Sequence, residues 1–430
     1  MDIRPFAGWR YRPQDGGDIS PFLAPPYDVL TVQDKRDLQA RSDRNIVSVD
    51  LPHVPPKEVG PDQAYQQAGE LLARWMSDGT LVRDDKPCLY VYEQTYQWAG
   101  RQYVRTALLA GVRATPFGQD VIPHEKTFAG PKADRLKLTQ RTRMQLSPIF
   151  GFFRDSPGQE IHCTLRSLAQ GQPDAWGEIR GVGEKLWVID GSPRIEHIRG
   201  LLAEKKVYIA DGHHRYTTAL NYRDLLQAEG TLDPEHPANF VQFALVSRDD
   251  PGMRILPTHR VIRGLAEDFS IDKLIQAATE FAWETRPCVP TDLSDADALL
   301  APHGDAAMAL LGGDGQELHV ARLVDPGAMK QAAPDELDAW RELDVAILHK
   351  LIIDKALAPW KTERTTIDYT PDGPAVAAAV QSGQAQLGVC LQATKMRSVE
   401  AIADAGAVMP HKSTYFYPKL TTGIVLKPLE

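Results

Sequence analysis

Apolar and polar positions along this chain follow two different periods, and the switches between them mark its elements. Residues 44–51 (RNIVSVDL) gather Ile46, Val47 and Val49 into a short β-branched run that predicts a strand. Residues 63–77 carry Ala64, Ala68, Leu71, Leu72 and Trp75 at helical spacing. CLYVYEQTYQW and RQYVRTALLAGVRA read as two strands, with a hairpin turn at Trp98-Ala99-Gly100-Arg101. Residues 133–146 predict a basic, solvated helix, and IFGFF a short buried strand. LWVID reads as a strand and PRIEHIRGLLAEKK as a helix with Ile195, Ile198, Leu201 and Leu202 on one face. KKVYIA is a strand, DGHHR a turn and YTTALNYRDLLQAEG a helix. ANFVQFALVS and MRILPTHRVI predict strands joined across Asp250-Pro251-Gly252. Further on, GGDG is a hairpin turn, 335–355 a strong helix, AVAAAV a helix and LGVCLQA a strand.

Strands and helices mixed in this way predict an α/β (mixed α+β) class. The length of 430 residues allows two to four domains. The reading divides the chain into an N-terminal α/β region (1–112), a central core (113–265) and a C-terminal α/β region (266–430). Residues 113–148 mix Pro, Gly and dense charge, and a connection that long in a compact chain is usually functional or disordered.

Composition narrows the function classes. Forty-eight Lys and Arg against 57 Asp and Glu give a net charge of −9, which argues against a globally basic nucleic-acid binder. Cys88, Cys163, Cys288 and Cys390 form no CxxC and no zinc spacing, and they read as reduced thiols of a cytoplasmic protein. The first residues lack the apolar core of a signal peptide, and the longest uncharged run is too rich in Gln and Gly for a membrane span. A homodimer is compatible with the sequence.

The chemistry concentrates at KKVYIADGHHRYTTAL. Asp211 stands where a helix N-cap belongs, and Gly212 permits close backbone approach. The N–H groups and dipole of a helix start favour an anion, and His213, His214 and Arg215 add three donors there. Two His and an Arg are electrostatically awkward at a helix N-terminus, and a bound polyanion relieves that strain. The plain alternative is a capping and surface His pair with Arg215 in a salt bridge. A metal held by His213 and His214 fits less well, because neighbouring helical residues point about 100° apart.

Pro123-His124-Glu125-Lys126-Thr127 supplies a general base in Glu125 or His124, with Lys132, Arg135 and Lys137 following as an extension of the anion site. A solvated charged loop is the plain alternative. HE is not HExxH, so a zincin is excluded. In Ala24-Pro25-Pro26-Tyr27-Asp28, Asp28 reads as a Mg²⁺ ligand, a partner for a substrate amine, or an Asx cap. His259 and Arg260 end a strand-like run and fit the same pocket wall or a core. His411-Lys412-Ser413-Thr414 lacks the glycines of a P-loop, yet Lys412, Ser413, Thr414 and Lys419 form a polar wall or an amphipathic strand.

A resemblance follows from these runs. IADGHHRYTTAL resembles the phosphate-binding turn of the ParB/sulfiredoxin-like superfamily, which includes free-serine kinases. Together with APPYDV, PHEKT, SPIF, LPTHR and KSTYFYPK it resembles the bacterial domain of unknown function 1015 family over nearly the whole chain. The likeness implies a ParB/sulfiredoxin-like core in 113–265 that holds ATP, ADP or pyrophosphate, with Mg²⁺ neutralising the polyphosphate. Gly212, His213, His214 and Arg215 would cradle the phosphates, and Asp211 would cap the turn or assist the metal together with Asp28. Glu125 would be the base, with Asp211 and His214 also counted as catalytic, and the acceptor a small hydroxylated metabolite such as free L-serine. The alternative is a non-catalytic, nucleotide-responsive binding or regulatory protein.

Overall fold

The computed structural model describes residues 1–12, 17–56, 58–127 and 129–430. The chain forms two compact units: Met1–Arg254 together with Pro418–Glu430, and Ile255–Tyr417.

The first unit contains strands β1 (Ile3–Arg4), β2 (Trp9–Tyr11), β3 (Leu81–Arg83), β4 (Leu89–Trp98), β5 (Arg101–Arg113), β6 (Val121–Ile122), β7 (Met144–Gln145), β8 (Ile149–Phe153), β9 (Ala175–Ile179), β10 (Val182–Ile189), β11 (Val207–Asp211) and β12 (Phe240–Ser247). Nine of them make one sheet in the order β6-β11-β8-β12-β5-β4-β10-β9, with β1 also on β5. The β4–β5 hairpin turns on Ala99 (φ 47) and Gly100 (φ 73), the two positive φ values that match the twist of flanking strands. In the middle of the sheet, Leu108, Leu109, Ala110 and Val112 are all buried, so both faces are covered.

Helices of this unit are α1 (Val32–Arg41), α2 (Val47–Asp50), α3 (Asp62–Ser77), α4 (Ala129–Thr142), α5 (Glu160–Leu168), α6 (Ser192–Leu202) and α7 (His213–Ala228). Ile161 and Leu165 of α5, Ile195, Ile198 and Leu202 of α6, and Tyr216 of α7 pack with Leu89, Val91, Leu108, Val112, Phe243 and Leu245 into one apolar core. Three polar side chains, Gln94, Arg105 and Glu184, are buried where these strands would otherwise carry apolar ones. Glu184 accepts from Tyr92 Oη, Gln94 Nε2 and Thr421 Oγ1. Gln94 Nε2 also donates to the Lys419 carbonyl (3.1 Å), and Arg105 donates to Gln94 Oε1 and to the Pro418 carbonyl. These bonds hold the returning segment 418–421 in the first unit. Burial pushes the Glu184 carboxyl up to about 7 against the pull of its hydrogen bonds.

The second unit holds one six-stranded sheet. Its strands are β14 (His259–Arg263), β15 (Phe281–Pro287), β16 (Ala307–Gly312), β17 (Glu317–Leu323), β18 (Thr366–Thr370) and β19 (Leu387–Leu391), in the order β15-β17-β16-β19-β14-β18. The short strand β13 (Arg254–Leu256) carries the chain across from the first unit. The GGDG turn joins β16 to β17, and the small-residue helix Gly373–Gln381 covers the sheet through Val376, Ala377 and Val380.

Several elements depart from the sequence reading. Residues 44–51 form no strand. Asn45 Oδ1 accepts from Val47 N (3.0 Å) and its Nδ2 binds the Pro21 and Leu23 carbonyls, an Asx-type start that turns the apolar run into α2. The 133–146 helix is not wholly solvated, since Asp134, Arg135 and Leu138 of α4 are buried. The strands on either side of Asp250-Pro251-Gly252 do not pair: β12 lies between β5 and β8, whereas β14 pairs with β18 and β19. Pro257 divides the second run into β13 and β14. The helix foreseen over 335–355 is broken into Asp338–Arg341, Asp344–Ile347 and a π-helical stretch, Leu348–Ala356. A boundary at 112 falls inside β5, whose neighbours β4 and β12 come from both sides of it, so 1–112 cannot close a sheet of its own.

Candidate functional site

Two loops that are remote in sequence meet because β6 and β11 run parallel, with Val121 opposite Val207 and Ile122 opposite Tyr208. PHEKT leaves the carboxyl end of β6, and Gly212 leaves the carboxyl end of β11. The start of β8 joins them, with Phe150 opposite Asp211. Crevices outside the carboxyl ends of strands are where α/β sheets commonly place ligands.

Gly212 adopts φ 100, a conformation that disfavours any L side chain, and α7 begins on it with no side-chain cap. Gly212 itself thus supplies no side-chain acceptor to the N–H groups of the first turn. A Cβ at position 212 would meet the Arg215 guanidinium at 3.0–3.1 Å. Asp211, Gly212 and His214 remain partly exposed.

The cations expected to cradle a phosphate are differently employed. Arg215 donates to Asp211 Oδ2 (2.8 Å), to Ser147 Oγ (3.1 Å) and to the Pro148 carbonyl, so it ties the turn to the entry of β8. This is the salt-bridge alternative. Lys419 donates to the other oxygen, Asp211 Oδ1. Burial alone would raise the Asp211 carboxyl, but Lys419 and Arg215 outweigh it and hold the group well below the usual carboxylate range. His213 is buried, and its Nε2 accepts from the His124 backbone N–H (3.2 Å), which leaves the proton on Nδ1. That Nδ1 lies 3.8 Å from Glu125 Oε2. The His124 and His213 rings meet edge to face at 4.7 Å. Burial lowers both, His124 to about 4 and His213 well below the ordinary imidazole value. His213 is thus a neutral, buried spacer and not a cationic donor.

Arg135 is likewise committed. It binds the Asp50 carbonyl (2.6 Å), Asp50 Oδ1 (3.2 Å) and Asp134 Oδ2 (2.8 Å), and it lies 4.0 Å over the Tyr27 ring. Lys132 is partly exposed on α4. Asp28 is partly exposed beside Tyr27. The residues do not fit a resident Mg²⁺: each oxygen of Asp211 already faces a cation, and the described residues contain no group of three or more His, Cys, Asp or Glu able to hold a metal ion.

His259, Arg260, Lys412, Ser413 and Thr414 belong to the second compact unit. There His259 Nδ1 accepts from Leu391 N (3.2 Å), and burial lowers its imidazole to about 4. Arg260 donates to the Thr258 and Lys412 carbonyls and stacks 5.4 Å from the Tyr369 ring. Ser413 Oγ donates to the Pro410 carbonyl. A cavity of about 570 Å³ lies in this unit, but its Lys395 and Arg397 already face Asp305.

Sequence reasoning missed Asp134, Gln242 and the Gln94–Arg105–Glu184 network. Arg105 and Glu184 carried a signal all the same, as charged residues at inward positions of otherwise apolar strands. Gln242, in VQFALV, carried the same one.

A mixed α/β protein with a strand–glycine–helix corner at one edge of its main sheet is the class that fold and site define. The chain belongs to the family described as "Protein of unknown function (DUF1015)", whose profile matches residues 3–346. No curated protein matches it. Among solved structures it is similar to a conserved hypothetical protein from Pyrococcus furiosus, at 13% identity over 73% of this chain and 93% of that one, with a TM-score of 0.32. A free serine kinase in complex with AMP shows 12% identity over 72% and 86%, with a TM-score of 0.32. SbnI with a C-terminal truncation, from Staphylococcus aureus, shows 13% over 74% and 82%, with a TM-score of 0.31. No helix among the described residues is long and apolar enough to cross a membrane.

Proposed function

We propose that the first unit is a small-molecule phosphotransferase with a ParB/sulfiredoxin-like phosphate-binding turn. The donor, ATP, ADP or pyrophosphate, places its phosphates on the helix-start amides that follow Gly212, and a small hydroxylated metabolite receives the terminal phosphoryl group. Free L-serine is one acceptor to test. The observation that carries this reading is the parallel pairing of β6 with β11, which sets Glu125 beside the Gly212 corner.

In the step proposed, the acceptor oxygen forms a bond to the terminal phosphorus while the bridging P–O bond breaks. The acceptor proton passes to the Glu125 carboxylate, and the donor leaves shortened by one phosphoryl group. Such chemistry needs chiefly positioning and charge stabilisation. The ion pairs at Asp211 and Arg215 hold the corner rigid, and the backbone amides meet the anion.

The test incubates the full chain with ATP, ADP or pyrophosphate and a panel of hydroxylated metabolites, followed by mass spectrometry. A product heavier by one phosphoryl group supports transfer. Saturable nucleotide binding without product would assign the non-catalytic, nucleotide-responsive alternative.

A further inference from the structure

The cavity of about 570 Å³ in the second unit lies where β16 begins and β17 and β19 end, with Ala306, Leu323 and Gln392 on its lining. Its size falls within the roughly 300–1,000 Å³ of small-molecule pockets. Leu323, Met329, Leu343, Ile347 and Ala393 give it an apolar wall. Most of its charges are spent on one another. Lys395 and Arg397 face Asp305, and Arg341 holds Asp338 and the carbonyls of Ala333, Pro334 and Glu336. Lys330 and Glu342, exposed and without ion pairs among the described residues, offset each other in charge.

Asp344 is the exception. It opens the helix Asp344–Ile347 and is only partly exposed, yet no cation lies within ion-pair distance of it among the described residues. Its Oδ1 accepts from the Ala306 N–H (3.2 Å). Its Oδ2 has no hydrogen-bond partner among the described residues, and unlike the orphaned buried atoms of the chain it keeps access to solvent. A carboxylate drawn out of water without a counter-ion is costly, and an organic cation relieves that cost. Gln392 adds a neutral acceptor to the lining, because its Nε2 is held by the Gly304 carbonyl (2.9 Å) and its Oε1 is not bonded among the described residues.

We infer that this cavity is a second ligand site, taking a small organic amine whose ammonium pairs with Asp344 Oδ2 and whose apolar body lies on the Leu323, Leu343 and Ile347 wall. The inference stands apart from the phosphotransferase reading, so either can fail alone. Burial pushes the Asp344 carboxyl up to about 7. The Ala306 N–H and Lys395 oppose that rise, and Asp305 and Asp297 add to it. The free site is therefore part-protonated near neutral pH, and an ammonium that fixes the carboxylate displaces a proton.

The test is calorimetric titration of the full chain with phenethylamine, 2-phenylethanol and phenylacetate, which share one body and differ in the head group. Phenethylamine should bind at least tenfold more tightly than either of the others. Its affinity should rise about tenfold from pH 6 to pH 8, as the carboxyl ionises while the amine stays charged. At pH 7, titrations in buffers of different ionisation enthalpy should show about half a proton released. Asp344→Asn keeps an oxygen for the Ala306 N–H, and should weaken the amine about ten- to hundredfold, the loss expected for a hydrogen bond to a charged group, and abolish the proton release. No amine binding at millimolar concentration, equal affinity for 2-phenylethanol, tighter binding of phenylacetate, a flat pH profile or an unchanged Asp344→Asn would overturn the assignment. Should that variant fail to fold, the head-group comparison and the pH profile of the native chain decide by themselves.

Discussion

Lys419 Nζ donates to Asp211 Oδ1 across 208 positions of sequence, from a segment that rejoins the first unit after the whole second unit. The Asp211 side chain is thereby closed on both oxygens, by Lys419 on one and Arg215 on the other. Both partners are mostly buried, so this is an electrostatic clamp with little solvent screening.

Removing one cation should show first in acid. A carboxylate held below its unfolded pKa contributes stability that is present above that pKa and is lost as pH falls towards the folded value. Lys419→Met should cost on the order of 2–4 kcal/mol at neutral pH and bring acid unfolding to a higher pH. Circular dichroism during acid titration reads this directly. An unshifted midpoint would mean that Arg215 alone suffices.

His124 predicts a different window. Its imidazole falls from about 6.5 unfolded to about 4 folded, so stability is complete above pH 6.5 and declines as pH drops towards 4. Between pH 7 and pH 5 this group alone should remove about 2 kcal/mol. His213, lowered in the same sense, adds to the decline. In His124→Gln the difference in urea unfolding free energy between those pH values should shrink by about that amount.

At Gly212 the backbone and a side chain act together. Gly212→Ala meets both φ 100 and the Arg215 guanidinium, and should lower stability by about 1–3 kcal/mol. It should also weaken ATP binding more than tenfold in calorimetry, since the displaced Arg215 disturbs the amides. Retained affinity would remove the corner from the phosphate site.

Arg215→Ala should not leave the fold untouched. The guanidinium bonds to Asp211, Ser147 and Pro148 would be lost together, so a drop on the order of 2–4 kcal/mol is expected by thermal or chemical denaturation. Glu125→Gln is the cleaner probe of transfer, because the Glu125 side chain is one-third exposed and the change preserves its shape. It should abolish product formation with Kd for the donor unchanged; turnover at the wild-type rate would remove Glu125 from the mechanism.

The local patterns were legible wherever a partner strand or helix agreed with them. β4, β5, β8, β11, α6 and α7 all lie where periodicity places them. The meeting of PHEKT with DGHHR was not legible, since parallel pairing of two short strands leaves no mark in either one. Nor does sequence reveal which cations are spent. Arg135 and Arg215 look like free phosphate ligands until Asp50, Asp134 and Asp211, two of them distant or unremarked, come within bonding range. The run 44–51 misled for a related reason: its β-branched residues found a core but no neighbouring strand, and Asn45 turned them into a helix.

The discontinuity of the first unit sets an order of events during synthesis. A ribosome delivers Asp211 and Arg215 well before Lys419, with all of residues 255–417 made in between. A nascent chain therefore carries its Gly212 corner half-clamped, and Asp211 gains its second cation only when residues 418–430 join the first unit.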